Sequence, residues 1–197
     1  MEIYLIRHGQ TALNQRRAYC GRINAPITPE GAEEARRIHY ALSPSRVYVT
    51  PLLRTQQTAA ILFPQAQQIP VEGLREMHFG DFEGRDADQL EQDPTYRAWL
   101  DSNCQLPCPN GESLEIFRRR IAQALYQLVS QVIAQGEPEL VIVAHGGTIM
   151  ASMTTYAHPS QDYFQWHVDN CRGYRAHIDA ATWRETPALT QWQLLSD

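Results

Sequence analysis

The sequence predicts an α/β fold with a mainly parallel central sheet. Glu139-Leu140-Val141-Ile142-Val143-Ala144 is an apolar run of strand length, as a strand buried on both faces requires. Leu114, Phe117, Ile121, Leu125, Leu128 and Val132 recur at intervals of 3, 4, 4, 3 and 4, which is one face of a helix. Strand-like and helix-like segments alternate along the chain, the order expected when helices form the crossovers between parallel strands.

Residues 2–6 are mostly apolar and read as a buried strand. Thr28 then caps a helix with Pro29 at its first position, predicted to run to about Leu42 and to stop before Ser43-Pro44. Arg46–Val49 is a second strand, and a helix from about Leu52 to Phe63 ends at Pro64. A third short strand is expected near Ile69–Glu72. Residues 86–112 are polar and irregular, with one helix expected around Tyr96–Leu100. The long helix follows from Ser113 to about Gln135. Its basic triplet, Arg118-Arg119-Arg120, reads as a solvated face, with a substrate contact as the alternative. After Ala144 comes another helix, then two terminal strands, Gly173–Ala180 and Thr190–Leu195, expected at a sheet edge.

At 197 residues the chain is predicted to form one domain, 1–197, large enough to bury a core without cross-links. Seventeen Lys+Arg against twenty-two Asp+Glu give a formal charge of −5, which disfavours a sequence-independent nucleic-acid binder. No apolar run is long enough to cross a membrane, and the N-terminus reaches Arg7 too soon for a signal peptide, so a cytoplasmic protein is expected. Cys20, Cys104, Cys108 and Cys171 read as reduced thiols by default. The C-x3-C spacing of Cys104 and Cys108 leaves a loop disulfide or a metal site open.

The chemistry concentrates at two strand ends. Arg7-His8-Gly9 follows the first strand, and His145-Gly146-Gly147 follows Ala144. Ligands of open α/β sheets sit beyond the carboxyl ends of the strands, so both histidines face one rim. Arg54, just after the second strand, is expected beside them. Two arginines, two histidines and nearby helix N-termini suit a phosphoryl group.

These residues carry a resemblance. Arg7-His8-Gly9-Gln10-Thr11-Ala12-Leu13-Asn14 resembles the RHGxTxxN signature of the histidine phosphatase superfamily, in its phosphoglycerate-mutase-like branch. The similarity continues, in the family's order, through Ile27–Gly31, Pro51–Ala59, Leu74-Arg75-Glu76, Phe79–Gly84, Gly111-Glu112-Ser113 and Ala144–Gly147. It implies a three-layer α/β/α fold with a helical lid inserted at about 86–137. It also implies a phosphomonoesterase that needs no metal or cofactor, acting on a small-molecule phosphomonoester. His8 would be the nucleophile, and Arg7, Arg54 and His145 would hold the phosphoryl oxygens. Gly9, Gln10, Thr11, Asn14, Gly21 and Gly146 would line the cradle, and Glu76 would serve as general acid and then base. Glu83 and Asp81 compete with Glu76 for the acid role.

The sequence departs from the family pattern at Asn24, where Asp is usual and a loop-supporting role is expected, and at Thr50, which keeps the hydroxyl of the usual Ser. The Leu74–Gly84 stretch, the Tyr96–Trp99 segment and Trp166–Cys171 look like the family's bacterial α-ribazole-5′-phosphate phosphatases of cobalamin nucleotide-loop assembly. Tyr96, Trp99 and Trp166 either stack on a planar base or belong to the core. The alternatives are a broad-specificity phosphatase or a phosphoglycerate mutase. Outside the family they are a metal-dependent hydrolase using His8, His78, His145 and Asp81, or a non-catalytic phosphate-binding module.

Overall fold

The structure is a computed structural model, and residues 1–195 of it are described. Six strands form one sheet: β1 (Glu2–Arg7), β2 (Arg46–Val49), β3 (Gln67–Pro70), β4 (Glu139–Ala144), β5 (Gly173–His177) and β6 (Thr190–Leu194). Their spatial order is β3-β2-β4-β1-β5-β6. The first four of these run parallel, and β5 and β6 add an antiparallel edge. The central strands β1 and β4 are apolar through their interiors, Ile3–Ile6 and Leu140–Val143, because both sheet faces are covered. Ile3 and Leu5 of β1 point into one core cluster, while Tyr4 and Ile6 point into the other, following the two-residue period of a strand.

The helices divide accordingly. The long helix α6 (Leu114–Ala134) and α7 (Gly146–Tyr156) pack on the Ile3 and Leu5 face; α3 (Leu53–Leu62) packs on the other, with α2 (Pro29–Arg37) against it. This is the three-layer α/β/α arrangement. All six residues of the α6 stripe are buried, and Ser113 caps the helix by accepting from Ile116 N–H. A short α1 (Ala12–Gln15) follows β1, and α4 (Ala87–Leu90) and α5 (Pro94–Asp101) precede α6.

Several boundaries differ from the sequence expectation. Helix α2 stops at Arg37, because Ile38 turns to extended backbone and buries its side chain with Ala35 and Cys171. Strand β3 begins and ends two residues early, so Glu72 opens a 3-10 turn, Glu72–Leu74, instead of ending a strand. Strand β5 ends at His177. Helix α4 was not anticipated, although Asp86 and Gln89 form a capping box around it. Tyr96 and Trp166 are core residues, Trp166 packing edge-on against Tyr174 and Trp192. The four cysteines are free thiols.

The register explains why the site forms where it does. Arg7 of β1 lies opposite Ala144 of β4, so the next residues, His8 and His145, leave the sheet side by side. Val49 pairs with Val143, which places Thr50 beside them.

Candidate active site

His8 is 3% exposed, and its ring centroid is 5.3 Å from that of His145. The main chain around it is pinned from both sides: His8 N–H donates to Ala144 O (3.0 Å), and Asn170 Nδ2 donates to His8 O (2.8 Å). The His8 Nδ1 atom lies 2.7 Å from Gly9 O, which can only accept, so Nδ1 carries the proton and Nε2 keeps its lone pair. Burial, then Arg54, pulls the His8 pKa well below the usual histidine range, with Arg7 adding to the effect against the Gly9 hydrogen bond. The imidazole is neutral.

Arg54 is completely buried. Its guanidinium donates to Ile23 O (2.8 Å), Gly21 O (2.8 Å) and Cys20 O (3.2 Å), while Nε donates to His145 Nδ1 (3.2 Å). His145 Nδ1 is therefore an acceptor, and Nε2–H donates to Thr50 Oγ1 (2.9 Å). Burial first, then Arg54, keeps His145 neutral as well. Arg7 donates from NH1 to Val168 O (2.7 Å). Its Nε is buried with no hydrogen-bond partner among the described residues, an orphaned cationic donor next to His8 of the kind an anion satisfies.

Glu76 is 7% exposed. Oε1 accepts from Met77 N–H and Oε2 from Gly147 N–H, both at 2.9 Å. Burial raises its pKa, outweighing those two bonds and the fields of Arg54 and Arg7. Gly147 opens the first turn of α7, and a Cβ there would lie 2.3 Å from Glu76 Oε1. Glu76 also lines a cavity of about 240 Å³ whose other walls include Tyr19, Phe79, Trp99, Met150, Tyr163 and Phe164. This side of the site is apolar.

The remaining expected residues divide into supports and bystanders. Asn14 Oδ1 accepts from the Thr11 N–H and hydroxyl, and Thr11 Oγ1 accepts from Asn14 N–H, capping α1. The Gly9 amide, expected in the cradle, donates to Thr58 Oγ1 (2.8 Å), so that donor is already used. Gln10 O receives Thr28 N–H at the start of α2. Gly21 supplies the carbonyl that grips Arg54, and a Cβ there would meet Met77 O at 2.0 Å. Gly146 lies against the Arg7 guanidinium. Glu83 accepts from Arg22 N–H (2.7 Å), Ile23 N–H (2.8 Å) and Phe79 N–H (3.2 Å), so it fixes the loop that holds Arg54. Asp81 accepts from Asn110 Nδ2 on both of its oxygens (3.1 and 3.0 Å). Asn24 accepts from Leu53 N–H (2.7 Å), supporting the start of α3 as a loop residue would. Among the described residues no group of three or more His, Cys, Asp or Glu is placed to hold a metal ion, and no helix is long and apolar enough to cross a membrane.

Sequence reasoning missed Thr58, Asn170 and the carbonyl of Val168. Thr58 sits one helical turn after Arg54 and returns its hydroxyl to Arg54 O, a spacing that could have been noticed. Asn170 and Val168 reach the site only through the tertiary fold.

The family profile described as histidine phosphatase superfamily, branch 1, matches residues 3–187. A Hydrogenobacter thermophilus protein carrying a phosphoserine phosphatase name is 29% identical over 185 residues, covering 90% of this chain and 89% of its own. The adenosylcobalamin/α-ribazole phosphatase of Escherichia coli strain K12 is 31% identical over 157 residues, covering 76% and 75%. The crystal structure of the α-ribazole phosphatase from Shigella flexneri superposes with a TM-score of 0.78 at 28% identity, covering 91% of each chain.

Proposed function

Because the chain belongs to branch 1 of the histidine phosphatase superfamily, we propose that it hydrolyses a phosphate monoester through a phosphohistidine on His8, and that its substrate carries a planar apolar leaving group of the α-ribazole kind. The observation that carries this reading is the position of Glu76. It is shared between the Arg7 and Arg54 cluster, whose fields it feels, and the wall of the apolar cavity.

In the first step the His8 Nε2 lone pair forms a bond to phosphorus while the ester P–O bond breaks. The departing oxygen takes a proton from Glu76, whose burial favours the protonated form. Arg7 Nε and Arg54 stabilise the charge spread over the phosphoryl oxygens. In the second step the Glu76 carboxylate removes a proton from water as the water oxygen bonds to phosphorus. The N–P bond breaks, and inorganic phosphate leaves with His8 neutral again. For His145 to donate to a phosphoryl oxygen, its proton must move to Nδ1, which requires Arg54 Nε–H to turn from that nitrogen to the incoming phosphoryl group, with Thr50 Oγ1 then donating to Nε2. A hydroxyl at position 50 permits that exchange of roles.

The cavity supports an aromatic leaving group by its lining, and of the three aromatics suggested by sequence only Trp99 lines it. Segment 86–137 contributes Trp99, Cys104 and Leu114 to the wall, in keeping with a lid. A mutase acting on a sugar acid would need free cations for the carboxylate, and this wall offers none.

The test is phosphate release in EDTA from α-ribazole 5′-phosphate, phosphoserine, 3-phosphoglycerate and p-nitrophenyl phosphate. The expected result is a strong kcat/KM preference for the first, with His8→Ala slower by about a thousandfold or more. Flat, slow hydrolysis would discard the substrate assignment, and activity surviving in His8→Ala would discard the nucleophile.

A further inference from the structure

The basic triplet of α6 does not behave as one solvated face. The Arg120 side chain is 23% exposed, and all five of its N–H donors are engaged. Two pair with Glu112, Nε to Oε1 and NH2 to Oε2, each at 2.8 Å. The other three go to main-chain carbonyls: Gly73 O (2.9 Å), Arg75 O (3.0 Å) and Glu76 O (3.2 Å). Glu112 completes the grip by accepting from His78 N–H (2.9 Å). One ion pair thus fastens four main-chain groups between residues 73 and 78.

Residues 75–79 belong to no helix or strand, so no backbone ladder fixes them. Glu76 stands in the middle of that segment. Its carboxylate is held on one oxygen by Met77 N–H, a peptide group of the same segment, and on the other by Gly147 N–H of α7, so its aim depends on where this backbone is set relative to α7. We propose that Arg120 and Glu112 are a positioning pair that holds the 73–78 backbone so that Glu76 meets the leaving-group oxygen. The inference rests on Glu76 being the acid. It also excludes substrate contact by Arg120, which has no donor left to offer. The pair joins the start of α6 to the acid, and lysine cannot replace the fork, since an ammonium has three donors on one point.

The experiment measures kcat/KM for phosphate esters ranging from p-nitrophenyl phosphate, whose leaving group needs no proton, to simple alkyl phosphates, whose leaving group does. Arg120→Lys, Glu76→Gln and the double variant are compared with the parent enzyme. Arg120→Lys is expected to lose about tenfold more on alkyl than on aryl esters. The double variant should show no larger alkyl-to-aryl disparity than Glu76→Gln alone, since both changes disable one function. Equal losses on both ester classes in Arg120→Lys, or a disparity that multiplies in the double variant, would overturn the positioning role. Glu76→Gln serves as the control for the parent reading. If it shows no disparity, the acid assignment itself falls; if it shows one and Arg120→Lys does not, only the positioning pair falls. Should Arg120→Lys not fold, Glu112→Gln, which keeps the shape and removes the charge, is read by the same ratio.

Discussion

At Gly147 the first turn of α7 and the Glu76 carboxylate share a space that has no room for a methyl group. In an ordinary helix, alanine in place of glycine is favourable by up to about 1 kcal/mol. Here the atom it would meet is the end of a side chain, so the carboxylate should yield and the fold should survive. Gly147→Ala is therefore expected to change the melting temperature by only a few degrees while alkyl-phosphate turnover falls by about a hundredfold, with a smaller loss on aryl esters. Equal losses would show that something other than the acid had moved. Thr50→Val is a second test at this scale, because it removes the hydroxyl that can exchange donor and acceptor roles with His145. An expected loss of about tenfold in kcat/KM corresponds to one hydrogen bond worth about 1.4 kcal/mol. His8, Arg7, Arg54 and His145 could be expected at one rim because each stands at or just after a strand end, whereas Glu76 was singled out only by the resemblance to the family's Leu-x-Glu pattern. Asn170 and Val168 could not be expected there, since the main-chain oxygen of His8 and that of Val168, through which they act, are unremarkable until the chain is folded, and Thr58 offered only its spacing of one turn from Arg54. Glu83 was legible as an acid but not in its place: two of its three amide partners belong to a loop about sixty residues away.

The elements that sequence periodicity described well are those whose burial is uniform. Strands β1 and β4 are covered on both faces, and the stripe of α6 faces one core cluster over its whole length. Leu125, at 0% exposure in that stripe, gives a direct test: Leu125→Ala is expected to cost about 2–5 kcal/mol, measured by urea unfolding. Elements set by one or two specific contacts were harder to read. Helix α2 ends five residues before its sequence signals because Ile38 is worth more inside the third apolar cluster than in another turn of an exposed helix. Helix α4 is only four residues long, too short for any periodicity, and depends on its capping box. Asp86→Ala should cost about 1 kcal/mol and fray that turn first. The basic triplet of α6 was read as uniform from its composition. Helical geometry separates the three residues by about 100° each, so that one of them, Arg120, faces the segment carrying Glu76 while Arg119 pairs with Glu115 at the surface.

For the molecule as a whole, two neutral histidines sealed beneath an arginine pair make stability depend on pH. Both His8 and His145 have folded pKa values well below 6.5, with burial the main cause and Arg54 the next. Below about pH 6.5 the unfolded chain takes up protons that the folded chain refuses, so stability falls on acidification by about 1.4 kcal/mol per pH unit for each histidine. Glu76 acts in the opposite sense. Its folded pKa is raised above the ordinary 4.5, so its contribution is fully present below that value and is lost as pH rises through the folded pKa. Two groups against one leave acidification destabilising, and the slope is large for a domain with a total stability of about 5–15 kcal/mol. Urea midpoints should therefore be flat from about pH 8 to 7 and fall between pH 6.5 and 5.5, with His8→Asn showing roughly half the slope. An unchanged midpoint over that interval would mean that the histidines accept protons in the folded state, and a protonated His8 has no lone pair with which to attack phosphorus. The same measurement thus bears on the fold and on the chemistry, because the burial that makes His8 costly to protonate is what keeps its Nε2 available as a nucleophile.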